Sequence, residues 1–179
     1  MHNRGYARLT CLALALMGVS LPAVPQAAGS GYTVEFILFR TDAGNVEQGT
    51  AAPSLNSTAA DVTITPVATH RLAGAASKLR SAGGYKVIAH VAWTQVPTAW
   101  NSRRGVPVGE LGLDVPGLTG SVILERGQRN LRLGFDLKFE DGGRSLQLAQ
   151  FQPLKVDEAQ YFDHPQLGVV ALVTRTENR

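Results

Sequence analysis

From Leu131 to Glu140 the chain alternates without a miss. Leu131, Leu133, Phe135, Leu137 and Phe139 face one way, and Arg132, Gly134, Asp136, Lys138 and Glu140 face the other. Successive side chains of a strand point to opposite faces, so this period of two admits a half-buried β-strand and no amphipathic helix. Asp141-Gly142-Gly143 then reads as a hairpin turn, with a return strand through Leu146 and Leu148. Phe151 falls one place out of phase with these, which predicts a bulge. Ser121–Arg126, followed by the turn residues Gly127-Gln128, supplies a strand on the other side, so a three-stranded meander is expected.

Two further segments are apolar on both faces, the mark of central strands: Tyr32–Arg40 (YTVEFILFR) and Leu167–Thr174 (LGVVALVT). They are natural neighbours. Thr65-Pro66 reads as a helix cap with proline at the first helical position, after which Leu72, Ala75, Ala76 and Leu79 share a face and Gly83-Gly84 ends the helix. Tyr85, Val87, Ala89, Val91 and Trp93 then mark a strand with one apolar face. The order predicts an α+β domain: a mainly antiparallel sheet of about six strands, first and last central, with one main helix on one face. Residues 41–63 and 97–119, rich in Gly, Ser, Asn, Ala, Thr and Pro, are expected to be surface loops of this single domain, residues 29–179.

Residues 1–28 carry the pattern of a cleaved secretory signal: Arg4 and Arg8, the apolar run Leu9–Val19, and a small-residue exit ending at Ala27-Ala28. The run is shorter than the roughly 18 residues that span a bilayer, so no stable membrane insertion is expected after cleavage. The single cysteine, Cys11, precedes the end of this run rather than following it, so no lipid anchor is expected, and thiol chemistry is excluded from residues 29–179. Acids and bases almost balance there, because two of the seventeen lysines and arginines lie in residues 1–28 and all fourteen acids lie outside. Such a balance, without a clustered basic excess, argues against nucleic-acid binding.

The chemistry-bearing residues are few. No Gly-x-Ser-x-Gly turn and no Gly-rich phosphate loop occurs. His70, His90 and His164 lack close ligand spacing, so neither a metal site nor any other cofactor is expected. Asp163-His164-Pro165 reads as a turn feeding the last strand rather than an acid–base pair, because neighbours in sequence rarely face each other. Trp100 with Arg103 and Arg104 is the strongest contact candidate: a loop aromatic beside two guanidinium groups that grip carboxylates in bidentate fashion. Arg126, Arg129 and Arg132 flank the meander turn and supply a second cationic edge. Trp93 is either core or a platform for a sugar ring.

Four passages taken together, Tyr32–Phe39, Leu79-Arg80 leading into Tyr85, His90–Gln95 (HVAWTQ) and Tyr161–Val170 (YFDHPQLGVV), resemble the CsiV family of periplasmic peptidoglycan-binding proteins. Where that family tends to have an Arg-Tyr-Leu-His core in its long meander strand, this chain has Arg129-Asn130-Leu131-Arg132. The resemblance implies a non-enzymatic periplasmic protein of Gram-negative bacteria that binds peptidoglycan. It further implies support of cell-wall synthesis with the lipoprotein activator of a bifunctional penicillin-binding synthase. The alternative is a protein–protein adaptor of the cell envelope with little direct wall binding. The expected ligand-contact set is Trp100, Arg103 and Arg104, with Trp93, Arg129, Tyr161 and His164.

Overall fold

A computed structural model describes residues 31–41 and 54–176; the expected signal segment and most of the first expected loop lie outside them. Eleven strands and one α-helix follow in the order β1 (Tyr32–Thr41), β2 (Thr58–Ala59), β3 (Thr65–Pro66), α1 (Ala73–Ser81), β4 (Tyr85–Gln95), β5 (Thr98–Ala99), β6 (Arg104–Pro107), β7 (Leu118–Arg126), β8 (Leu131–Asp141), β9 (Arg144–Leu154), β10 (Ala159–His164) and β11 (Leu167–Arg175). A short 3-10 turn, Val108–Leu111, follows β6. The fold is α+β, as the pattern predicts, and the strands divide between two sheets rather than forming one of about six. The first sheet runs β10-β11-β1-β4-β3 and the second β2-β6-β7-β8-β9, with β5 alongside β7.

The division follows from the two-sided strands. Val34, Phe36 and Leu38 of β1 and Val169, Ala171 and Val173 of β11 pack toward the second sheet, where Leu133, Phe135 and Leu137 of β8 meet them. The Phe135 ring lies edge-on to Phe36 at 5.4 Å and to Phe162 of β10 at 4.7 Å, joining the layers. The other face of β1 and β11 carries Ile37, Phe39 and Leu172, which Leu72, just ahead of α1, and Ala76 of α1 cover. Both strands are therefore central in the sheet, β1 between β11 and β4, β11 between β10 and β1.

Three local expectations are corrected. The helix starts at Ala73, not after Pro66; Thr65-Pro66 is an edge strand on β4, paired with Thr94 and Trp93, where proline's missing N–H costs little. Residues 97–119 are not a structureless loop: β5, β6 and the 3-10 turn occupy them, and Val106, Val108 and Leu111 are buried. No bulge occurs at Phe151, because β8 and β9 stay in continuous register from Leu131↔Leu154 to Asp141↔Arg144. Phe151 instead sits on the outer face, filling the place above Gly134, its partner across the strands.

Glutamines knit the two sheets where their edges meet. Gln150 of β9 donates to the Asp163 carbonyl and accepts from the Asp163 N–H at 3.0 Å. Gln152 donates to the Tyr161 carbonyl at 3.2 Å, and Gln160 of β10 donates back to the Pro153 carbonyl at 3.0 Å.

A Cβ on Gly134 would lie 2.0 Å from the Phe151 ring. Gly134→Ala is therefore expected to cost about 1–3 kcal/mol in urea unfolding, and under half of that when introduced into Phe151→Ala, where the ring is gone.

Candidate functional site

The loop that carries Trp100 is shaped by one carboxylate. Glu125, on β7 and 0% exposed, accepts the backbone N–H of Asn101 at 2.9 Å and of Arg103 at 2.7 Å. Arg132 on β8 completes the arrangement, donating from Nε at 2.8 Å and Nη2 at 2.5 Å. Asn101 and Arg103 both adopt positive φ, 63° and 55°, a conformation costly for side-chain-bearing residues that the paired N–H groups offset. A carboxylate so deep is costly unless its oxygens are hydrogen-bonded, and four donors meet that need.

The arginines stack as well as pair. The Arg132 guanidinium lies 3.9 Å from the Trp100 ring centroid and 4.2 Å from that of Phe151, and Arg103 lies over the same Phe151 ring at 4.6 Å. Trp100 also rests on Gly127, where an added Cβ would approach its ring to 3.3 Å. Held from these sides, Trp100 remains 41% exposed. It forms the wall of a groove of about 710 Å³ with Arg126, Gln128, Arg129 and Asn130. A second recess of about 490 Å³ shares those residues and reaches Tyr32, Pro153 and Arg175. The arrangement borders a partly exposed indole with the guanidinium groups of Arg126, Arg129 and Arg175, suited to a ligand with apolar surface and carboxylates.

Of the residues expected to contact ligand, Trp100 and Arg129 come together here, with Arg126 and Arg175 beside them. Arg103 and Arg104 do not line the groove. Arg103 is drawn to Phe151, and Arg104 donates to the Ala59 carbonyl at 3.4 Å. Trp93 is not a sugar platform: it is 1% exposed in the core, its indole N–H donating to Gln95 Oε1 at 2.7 Å.

Tyr161 and His164 lie elsewhere. His164 pairs with Leu167 and through it with Arg40, whereas the groove's Arg175 pairs with Tyr32, so the length of β11, about 26 Å, separates the two places. Tyr161 is half exposed, stacked on Phe39 at 6.2 Å, and its hydroxyl donates to Asp163 Oδ1 at 3.0 Å. Burial, reinforced by Asp163, pushes that hydroxyl up to about 12. His164 Nδ1 accepts the Gln166 N–H at 3.3 Å, so Asp163 and His164 each serve other partners and form no acid–base pair.

A second convergence, spread too widely in sequence for the histidine spacing to reveal, brings Glu35, His70 and His90 together on the helix side of the first sheet. Glu35 accepts the N–H groups of Arg71 at 2.8 Å and Leu72 at 2.9 Å, just ahead of α1. Twenty residues apart and without close ligand spacing in the sequence, His70 and His90 nevertheless bring their rings to 4.4 Å centre to centre. The chain matches no protein-family model, no curated protein and no solved structure. Among the described residues no helix is long and apolar enough to cross a membrane.

Glu125→Gln removes the charge that Arg132 pairs with, and is expected to cost about 3 kcal/mol in urea unfolding. In a Trp93→Phe background, the fluorescence of Trp100 then becomes more accessible to iodide. A second outcome concerns pH. Burial holds the His164 imidazole below its ordinary value of 6.5, with Asp163 opposing in part. As pH falls through that value the unfolded chain takes up a proton before the folded chain does, so stability falls with pH. His164→Gln is therefore expected to lose less melting temperature than wild type between about pH 7 and about pH 5.

Proposed function

We propose that this chain is an exported, non-catalytic binding protein of the periplasm whose Trp100 groove takes peptidoglycan, in support of cell-wall synthesis. The observation that carries the reading is the exposed Trp100 ring, anchored in the groove by Arg132 and Gly127 and bordered by Arg126, Arg129 and Arg175. A glycan strand offers flat apolar sugar faces to such a ring, and its stem peptides offer carboxylates to the arginines. The resemblance to the CsiV family supports the same ligand, and the signal-like pattern of residues 1–28 supports export. The lack of a nucleophile motif or a cysteine in residues 29–179 supports binding without turnover. By the same resemblance, the protein partner is the lipoprotein activator of a bifunctional penicillin-binding synthase.

Purified protein is expected to co-sediment with isolated sacculi at low salt and less so as salt rises, because guanidinium–carboxylate contacts at an open groove are screened. Trp100→Ala, and Arg126→Ala with Arg129→Ala, are each expected to weaken sedimentation about tenfold. Arg104→Ala, outside the groove, is expected to sediment like wild type. Wild-type protein that stays in the supernatant refutes direct wall binding and leaves the adaptor reading; release of soluble fragments from the sacculi refutes the non-catalytic one.

A further inference from the structure

The cluster beneath the N-terminus of α1 is built from three separate parts of the fold. Glu35 comes from β1, His90 from β4, where it pairs with Ile37, and His70 from the segment ahead of the helix. Glu35 is 3% exposed, and its Oε1 lies 2.7 Å from His90 Nε2 and 3.6 Å from His70 Nδ1. All three ligand atoms lie within 4.8 Å of one another. Tetrahedral zinc with bonds of about 2.0–2.1 Å sets its ligand atoms about 3.4 Å apart, so small side-chain adjustments bring this set into range.

A glutamate–histidine ion pair accounts for Glu35 and His90 but leaves His70 unexplained. His70 Nδ1 is sealed from solvent and has no hydrogen-bond partner among the described residues, although it is aimed at the carboxylate. Such a nitrogen loses its hydration for no return unless something binds it. The carboxylate is already oriented, because the Arg71 and Leu72 N–H groups fix it from the side of the helix, as outer contacts fix metal-bound carboxylates. Beside Glu35 lies a recess of about 190 Å³, lined also by Thr33, Thr69 and Arg71.

We propose that Glu35, His70 and His90 bind one divalent transition-metal ion, best matched by zinc, with a fourth coordination position open toward this recess. Two imidazoles and one carboxylate are a donor set that suits zinc and its first-row neighbours, and rejects calcium and magnesium, which take oxygen ligands. As the ion binds, the proton of the His90 Nε2–Glu35 hydrogen bond leaves to solvent. This site lies on the helix side of the first sheet, apart from the Trp100 groove of the second, and does not depend on the wall-binding reading.

The test is isothermal titration of the untagged full chain, stripped with a chelator, with zinc chloride. One zinc ion per chain is expected, and it raises the melting temperature of the protein. His70→Ala leaves the contacts of Glu35 with His90 and with the Arg71 and Leu72 N–H groups in place, so it is expected to melt like metal-free wild type while binding zinc at least about tenfold more weakly. His2→Ala and His164→Ala remove the histidines outside the cluster and are expected to bind as wild type does. No zinc uptake by wild type, undiminished uptake by His70→Ala, or loss of uptake in His2→Ala or His164→Ala overturns the proposal.

Discussion

Everything in this fold rests on the contact of Phe135 with Phe36 and Phe162 between the two sheets. With one cysteine in the sequence, no intrachain disulfide can hold the layers together, so apolar packing must. Each fully buried aromatic ring contributes on the order of a few kcal/mol, and the edge-on geometry adds to that. The contact also explains why β1 and β11 are apolar on both faces. One face answers to Phe135 and the other to α1, so a polar residue on either face of these strands must find a partner within the structure.

The same requirement holds on β7 and β8, and carboxylates that each gather an irregular segment meet it. Glu35 on β1 holds the N–H groups of Arg71 and Leu72; Glu125 on β7 holds those of Asn101 and Arg103; Asp136 on β8 accepts from Ser54 Oγ at 3.0 Å and Ser57 Oγ at 2.9 Å. Burying a charge is costly unless it is hydrogen-bonded, and aligned N–H or hydroxyl donors meet that condition. The strands thus supply fixed anionic points, and the segments without regular structure are tied to them. The two places with the chemistry to bind something, the Trp100 groove and the Glu35 cluster, are both of this construction.

What was legible in the sequence is what depends on local periodicity. The alternation of β8, the two-sided β1 and β11, and the helix face of Leu72, Ala75, Ala76 and Leu79 all follow from neighbours a few residues apart. The partition into two sheets does not, because a period of two shows that a strand is half buried without showing which layer covers it. The start of α1 is not legible in the sequence, because the segment leading into it is held through the Arg71 and Leu72 N–H groups by Glu35, far back on β1, and not by a capping side chain beside the helix. Trp100 and Arg129 could be picked out by composition. Arg103 could not be set aside in the same way, since its attraction to Phe151 depends on β9 lying beside β8. The meeting of Glu35, His70 and His90 depends on strand register and on the path of the chain into α1.

The glutamine contacts between β9 and β10 bear on how the protein avoids its own kind. An exposed sheet edge offers unpaired N–H and C=O groups on which a strand from another molecule can align. Here β10 and β9 end their respective sheets, and the amides of Gln150, Gln152 and Gln160 already occupy backbone groups of Tyr161, Asp163 and Pro153. The opposite margins, β3 and β2, are two residues long, and β3 includes Pro66. In a protein rich in strands, these three glutamines protect against intermolecular pairing along the seam where β9 and β10 meet.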